Sequence, residues 1–178
     1  LTMPSNVLID DKLTVTATNA SNTSEFSPVV SLQLYQDRGD ASASYGDAAH
    51  TINAAVYLGT TLPDMDASSV ASTGADGDDI SGIDDEDSVS ILPSLYTSST
   101  GTSVNVKVLN STGNKAWLVG WIDFNKNGVF DSNEAATIPV SSAAQVKTVG
   151  LTWANLSGLT AGDTHMRLRV TTDPLIAT

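Results

Sequence analysis

With 178 residues, 20 of them acidic and 8 basic, the chain has a net charge of −12. It is long enough for one domain with a real core, and too acidic to offer the basic footprint that a nucleic-acid backbone requires. There is no cysteine, which excludes disulfides, thiol catalysis and thiolate metal sites. No apolar run approaches the length of a membrane span, so membrane insertion by this stretch is not expected. No signal peptide is visible, and Leu1 opens without a charged leader, so the chain is expected to be a piece of a longer protein.

Residues 12–18 alternate with a period of two, with Leu13, Val15 and Ala17 on one face, and predict a strand. Residues 19–24 read as a turn and residues 26–35 as a second strand, so residues 1–35 form an N-terminal hairpin. That hairpin is either the tail of a preceding repeat or a pair of edge strands of the domain that occupies residues 36–178. Arg38-Gly39-Asp40 is an integrin-type tripeptide, but three-residue matches arise often by chance, and a plain turn is the preferred reading. His50, one of two histidines, is open to two readings, a packed residue or a ligand-binding one. Ile52, Ala54, Val56 and Leu58 predict a short strand ending at Gly59.

An acidic tract follows. No Lys or Arg occurs between Arg38 and Lys107, while nine acids fall between Asp64 and Asp87. Left unpaired, such carboxylates repel one another, and one reading is a solvated, disordered segment. Ile80, Ile83 and Val89 punctuate the acids, however, and glycines stand at turn positions. Loops folded around cations are therefore preferred, with Asp78, Asp79, Asp84, Asp85, Glu86 and Asp87 as candidate ligands for one or two calcium ions.

From Val89 onward the pattern is β. Residues 104–108, 115–124, 136–140, 146–153 and 165–170 predict strands, with residues 110–114 as a turn. In the last strand Met166, Leu168 and Val170 face inward and His165, Arg167 and Arg169 face out, which makes His165 a surface residue rather than a catalytic one. Strands at this spacing without helical stripes predict an all-β antiparallel sandwich with long calcium-binding loops and little or no helix.

Residues 123–134 carry the sharpest signal. They match the calcium-loop pattern D-x-[DN]-x-[DN]-G-x5-E at every defined position. Calcium takes six to eight oxygen ligands. Asp123, Asn125, Asn127 and Asp131 would offer side-chain oxygens, Val129 its carbonyl, and Glu134 two oxygens, with Gly128 at the sharp turn. The competing reading is a polar Asp/Asn-rich turn; five coincident positions, including the distant Glu134, weigh against it. An EF-hand is disfavoured, because Trp117, Val119 and Trp121 before the loop recur at strand spacing and Pro139 follows it.

Two resemblances accompany these readings. Val15-Thr16-Ala17-Thr18 and Asn22-Thr23-Ser24-Glu25-Phe26-Ser27 resemble the closing hairpin of bacterial immunoglobulin-like surface repeats. The succession Gly39-Asp40-Ala41, Ser44-Tyr45-Gly46, His50, Tyr57-Leu58-Gly59, Gly77-Asp78-Asp79, Gly82-Ile83-Asp84-Asp85-Glu86-Asp87, Gly120-Trp121-Ile122-Asp123-Phe124-Asn125 and Met166-Arg167-Leu168-Arg169-Val170 resembles the GEVED domain, a module of large bacterial surface and secreted proteins, over residues 37–173. Ser42 and Ser88 depart from the family's proline and glycine, and the chain stops before the motif that names the family.

The resemblance implies an extracellular or cell-surface, calcium-loaded module of an adhesin-like protein, contributing to cell adhesion or rigid spacing. A second function class is a calcium-dependent module binding a carbohydrate or peptide, for which Trp117, Trp121 or Trp153 would have to be exposed. A third, an enzyme, is not expected. No nucleophile elbow, H-E-x-x-H or P-loop pattern is present, and two histidines make a histidine-based site hard to build.

Overall fold

The computed structural model of the chain describes residues 12–13, 16, 18–24, 30–31, 36–66, 68–77 and 88–173. Two compact units result, Leu1–Tyr35 and Gln36–Thr178.

In the first unit, β1 (Lys12–Leu13) pairs antiparallel with β2 (Val30–Ser31). The turn is an Asx turn: Asn19 Oδ1 accepts the N–H groups of Ser21 and Asn22, each at 2.9 Å. Thr18 and Thr23 bridge across it. The hairpin expected from the alternation is present where residues are described; the other positions of both strands lie outside the described residues.

The second unit is built from β3 (Gln36–Arg38), β4 (Ala49–Thr51), β5 (Val56–Leu58), β6 (Gly101–Asn110), β7 (Ala116–Ile122), β8 (Ala135–Val140), β9 (Ala143–Ala154) and β10 (Met166–Thr171). Its sheets run β5-β6-β9, β10-β7-β8 and β3-β4, and every pairing is antiparallel. The all-β antiparallel class is thus borne out. The two three-stranded sheets pack face to face. Val104, Val106 and Val108 of β6 and Leu151 and Trp153 of β9 meet Leu118 and Ile122 of β7 and Val140 of β8 in one core. Burying each large apolar side chain contributes about 1.5–3 kcal/mol.

Strand β7 is buried on both sides, which explains its nearly continuous apolar run. Leu118 and Ile122 face the core; Val119 is fully buried but stands apart from that cluster, on the opposite face with Trp117 and Trp121. Residues 36–51 lie over this second face: Arg167 of β10, paired in register with Trp121, donates to the carbonyls of Tyr45 and Gly46 at 2.9 and 3.1 Å. Gly120 lies between Leu118 and Ile122 on the core side. An added Cβ there would stand 2.7–2.8 Å from Leu151, Leu168 and the Trp153 ring. The close approach of the two sheets therefore requires glycine at this position.

Residues 36–38 and 49–51 form a hairpin that no sequence signal predicted, with Asp37 opposite His50. Two expectations differ from the structure. The strand expected over residues 52–59 begins only at Val56, because Asn53 turns the chain first, its side chain accepting the N–H of Ala55 at 2.9 Å. Val89 makes a single bridge to Val106 and opens no strand, and Ile91, Leu92 and Tyr96 beyond it are exposed.

Gly120→Ala is expected to lower unfolding free energy by about 1–3 kcal/mol, the cost of overpacking a filled core. A urea titration with an unchanged m-value would check this; wild-type stability in the variant would mean the sheets are not in close contact there.

Candidate metal centre

The twelve-residue loop joins β7 to β8 inside one sheet, so its two ends are held side by side by the Trp121–Ala135 pairing. It coils tightly, with Lys126 at φ +60° and Gly128 at φ +83°, and glycine suits the second of these turns as the pattern requires. Successive Asx turns wind the backbone inward. Asp123 Oδ1 and Asn125 Oδ1 accept the Asn127 N–H at 3.2 and 2.8 Å, Asp123 Oδ2 accepts the Gly128 N–H at 2.9 Å, and Asn127 Oδ1 accepts the Val129 N–H at 3.0 Å.

Among the described residues two carboxylates are fully buried, Asp123 and Glu134. Glu134 stands at the end of a 3-10 turn (Ser132–Glu134) and points back across the loop. Its Oε1 accepts the Phe124 N–H at 2.9 Å and the Asn125 N–H at 3.4 Å, and its Oε2 accepts the Asp131 N–H at 3.0 Å. Asp131 faces the loop centre, where the side-chain amides of Asn125 and Asn127 donate to its Oδ2 at 3.1 and 2.9 Å.

The donor set consists of hard oxygens, which suits calcium. Asp123, Asn125, Asn127, Asp131 and Glu134 are all brought to one loop, and a carboxylate oxygen that accepts one N–H retains a second acceptor site. Both Glu134 oxygens also brace the loop backbone. For Asn125 and Asn127 to turn their oxygens inward, their amides must release Asp131. Among the described residues, no group of three or more Asp, Glu, His or Cys side chains is placed to hold a metal by itself. A cation held here would therefore draw on the amides and the Val129 carbonyl as well as the carboxylates.

The loop is tied outward on three sides. Trp153 of β9 donates its indole N–H to the Glu134 carbonyl at 2.8 Å, Thr164 Oγ1 donates to the Asp123 carbonyl at 2.6 Å, and the Tyr45 hydroxyl donates to Asp123 Oδ2 at 2.8 Å. The Tyr45 ring packs against Phe130 at 4.5 Å and His165 at 4.9 Å. Burial and the hydrogen bond to Asp123 push the Tyr45 hydroxyl up to about 12. Burial on its own would raise the Asp123 carboxyl, but the Tyr45 hydroxyl and the N–H groups of Gly128, Lys126 and Asn127 together hold it below its ordinary value.

Sequence spacing could not find Tyr45 or Thr164, which lie 78 and 41 positions from Asp123; only the Ser44-Tyr45-Gly46 portion of the family pattern pointed at the first. His165 is half-buried against Tyr45 rather than on the surface, and its carbonyl accepts the Asp123 N–H at 3.2 Å. Arg38-Gly39-Asp40 is not a displayed tripeptide. Arg38 lies on β3, ion-paired with Asp47 at 2.5 Å. Asp78, Asp79, Asp84, Asp85, Glu86 and Asp87 lie outside the described residues.

Residues 117–178 match the family model of the GEVED domain. The resemblance read from the sequence is borne out there, and this segment holds β7, the twelve-residue loop, β8, β9 and β10. Residues 37–116, which carried the rest of that resemblance, fall outside the matched segment. No curated protein and no solved structure matches the chain.

Tyr45→Phe is expected to cost about 1–3 kcal/mol by removing a hydrogen bond to a buried carboxylate. The wild-type hydroxyl titrates higher folded than unfolded, so its contribution is complete below pH about 10 and lost as pH rises towards 12. The stability difference between the two proteins should therefore shrink above pH about 10 in chemical denaturation. A difference constant from pH 7 to 12 would refute the Tyr45–Asp123 bond.

Proposed function

We propose that this chain is a non-catalytic, calcium-stabilised module of a large bacterial surface adhesin, working outside the cell in adhesion or as a rigid spacer. The observation that carries the reading is the loop at 123–134, where a complete calcium pattern coincides with a tight coil holding two buried carboxylates between paired strands. Asp123, Asn125, Asn127, Asp131, Glu134 and the Val129 carbonyl would hold the ion. Its charge would offset the clustered carboxylates and lock the β7–β8 connection.

The GEVED match supports the surface setting. The acidic tract at residues 78–87 is proposed to take one or two further ions, and the N-terminal hairpin to close a preceding repeat. The second reading, a carbohydrate or peptide grip at an open calcium position, finds less support: Trp153 is buried and Trp117 and Trp121 are half-buried, so none offers an exposed stacking face beside the loop.

An ion that binds only the folded state stabilises it by RT ln(1+[L]/Kd), about 2.7 kcal/mol at a hundredfold excess over Kd. Thermal melts in calcium and in excess EGTA should therefore differ by several degrees for the wild type. In Glu134→Ala both the midpoint and the calcium-dependent gain should fall. Identical wild-type melts, with no calcium in the protein before or after chelation, would sink the proposal.

A further inference from the structure

The second face of the β10-β7-β8 sheet holds a cavity of about 1150 Å³, lined by residues of β3, β4, β5 and β10 together with Trp121. Three of the chain's eight basic residues line it, Arg38, Arg167 and Arg169, with His50 beside them. Among the described residues, the buried side-chain nitrogens without a hydrogen-bond partner are Arg38 Nε, His50 Nε2 and Arg169 Nε. All three belong to residues of this one cavity. Buried donors are normally paired, and a guanidinium Nε–H has no role except to donate.

Several neighbouring charged groups are already engaged. Arg38 spends its terminal nitrogens on Asp47 and Gln36, and Arg167 spends both of its own on the Tyr45 and Gly46 carbonyls. Asp37 and Asp40, which also line the cavity, have partners of their own. Burial and the neighbouring charges of Arg169 and Arg167 push His50 down to about 4, so the ring is neutral at physiological pH. The unspent donors are therefore the Arg38 and Arg169 Nε–H groups, in a cavity wall that also carries Asp37, Asp40 and the aromatic rings of Tyr57, Trp121 and Phe130.

We infer that this cavity binds a carboxylate side chain of a short acidic peptide, with Arg169 and Arg38 donating through Nε and His50 at its edge. A carboxylate is the matching group because it only accepts, and its bonds to guanidinium are charge-assisted. The aromatic wall suits the methylene stem of a glutamate. A sugar fits less well, since its hydroxyls require acceptors as well as donors and the acidic residues here are already engaged. The inference stands independently of the calcium reading.

The test is calorimetric titration of the full chain with acetylated tri-glutamate and with tri-glutamine, at roughly physiological ionic strength so that the −12 background is screened. Tri-glutamate should bind and tri-glutamine should not. Arg169→Gln should weaken binding about tenfold or more, the worth of one charge-assisted bond, and Lys147→Gln, an exposed residue of β9, should change nothing. Should Arg169→Gln fail to fold, the wild type still decides. On saturation with tri-glutamate the His50 ring, assigned against His50→Gln, should titrate above its unliganded value, because a bound carboxylate offsets the charges of Arg169 and Arg167 beside it. No heat and no change at His50 would overturn the inference. Binding seen only after Asp84, Asp85, Glu86 and Asp87 are changed to their amides would overturn it too, because the chain's own acids would then be the competing occupant.

Discussion

Two buried carboxylates govern this domain. Removing a charged carboxylate from water is costly unless it is paired or fully hydrogen-bonded. Asp123 and Glu134 meet that condition by drawing N–H groups of their own loop, and in the case of Asp123 a distant tyrosine hydroxyl, around them. The loop's coil is the shape the backbone takes to bring those donors in. Its position between β7 and β8 follows, since the carboxylates stand where the strand pair ends and can hold both sides together.

From that anchor the constraint spreads in two directions. Towards the core, the Trp153 indole on the Glu134 carbonyl couples the loop to β9 in the opposite sheet, next to the contact where Gly120 lets the sheets approach. Away from the core, Tyr45 carries the constraint to residues 36–51. That segment covers Val119 and Trp121 and encloses the cavity with Arg167 and Arg169. A fixed loop thus sets the geometry of both faces of one sheet.

Much of this was legible in the residues. Alternation located β6, β8, β9 and β10 to within a few positions, and β7 was legible from its aromatic and β-branched run, as expected of a strand buried on both faces. The loop was legible because its Asp, Asn and Gly residues are the types that successive backbone turns call for. The β3–β4 hairpin was not. Three-residue strands such as Gln36–Arg38 carry no periodicity, and their position comes from long-range contacts to Arg167 and Tyr45 that spacing does not encode. The same limit hid the cavity. Arg167 and Arg169 alternate outward from the core as a surface face would, and only residues more than a hundred positions earlier convert that face into an interior. Glu134 was legible in place but not in full, since a pattern position cannot say how many backbone N–H groups its oxygens will hold.

Calcium binding by the residues of the 123–134 loop is decided by equilibrium dialysis of the EGTA-stripped chain against calcium up to about millimolar concentration, the range of extracellular sites. The expected result is at least one ion per chain, with one fewer at the same concentration in Asp131→Ala. Wild-type protein that stays folded and takes up no calcium across that range would contradict the account.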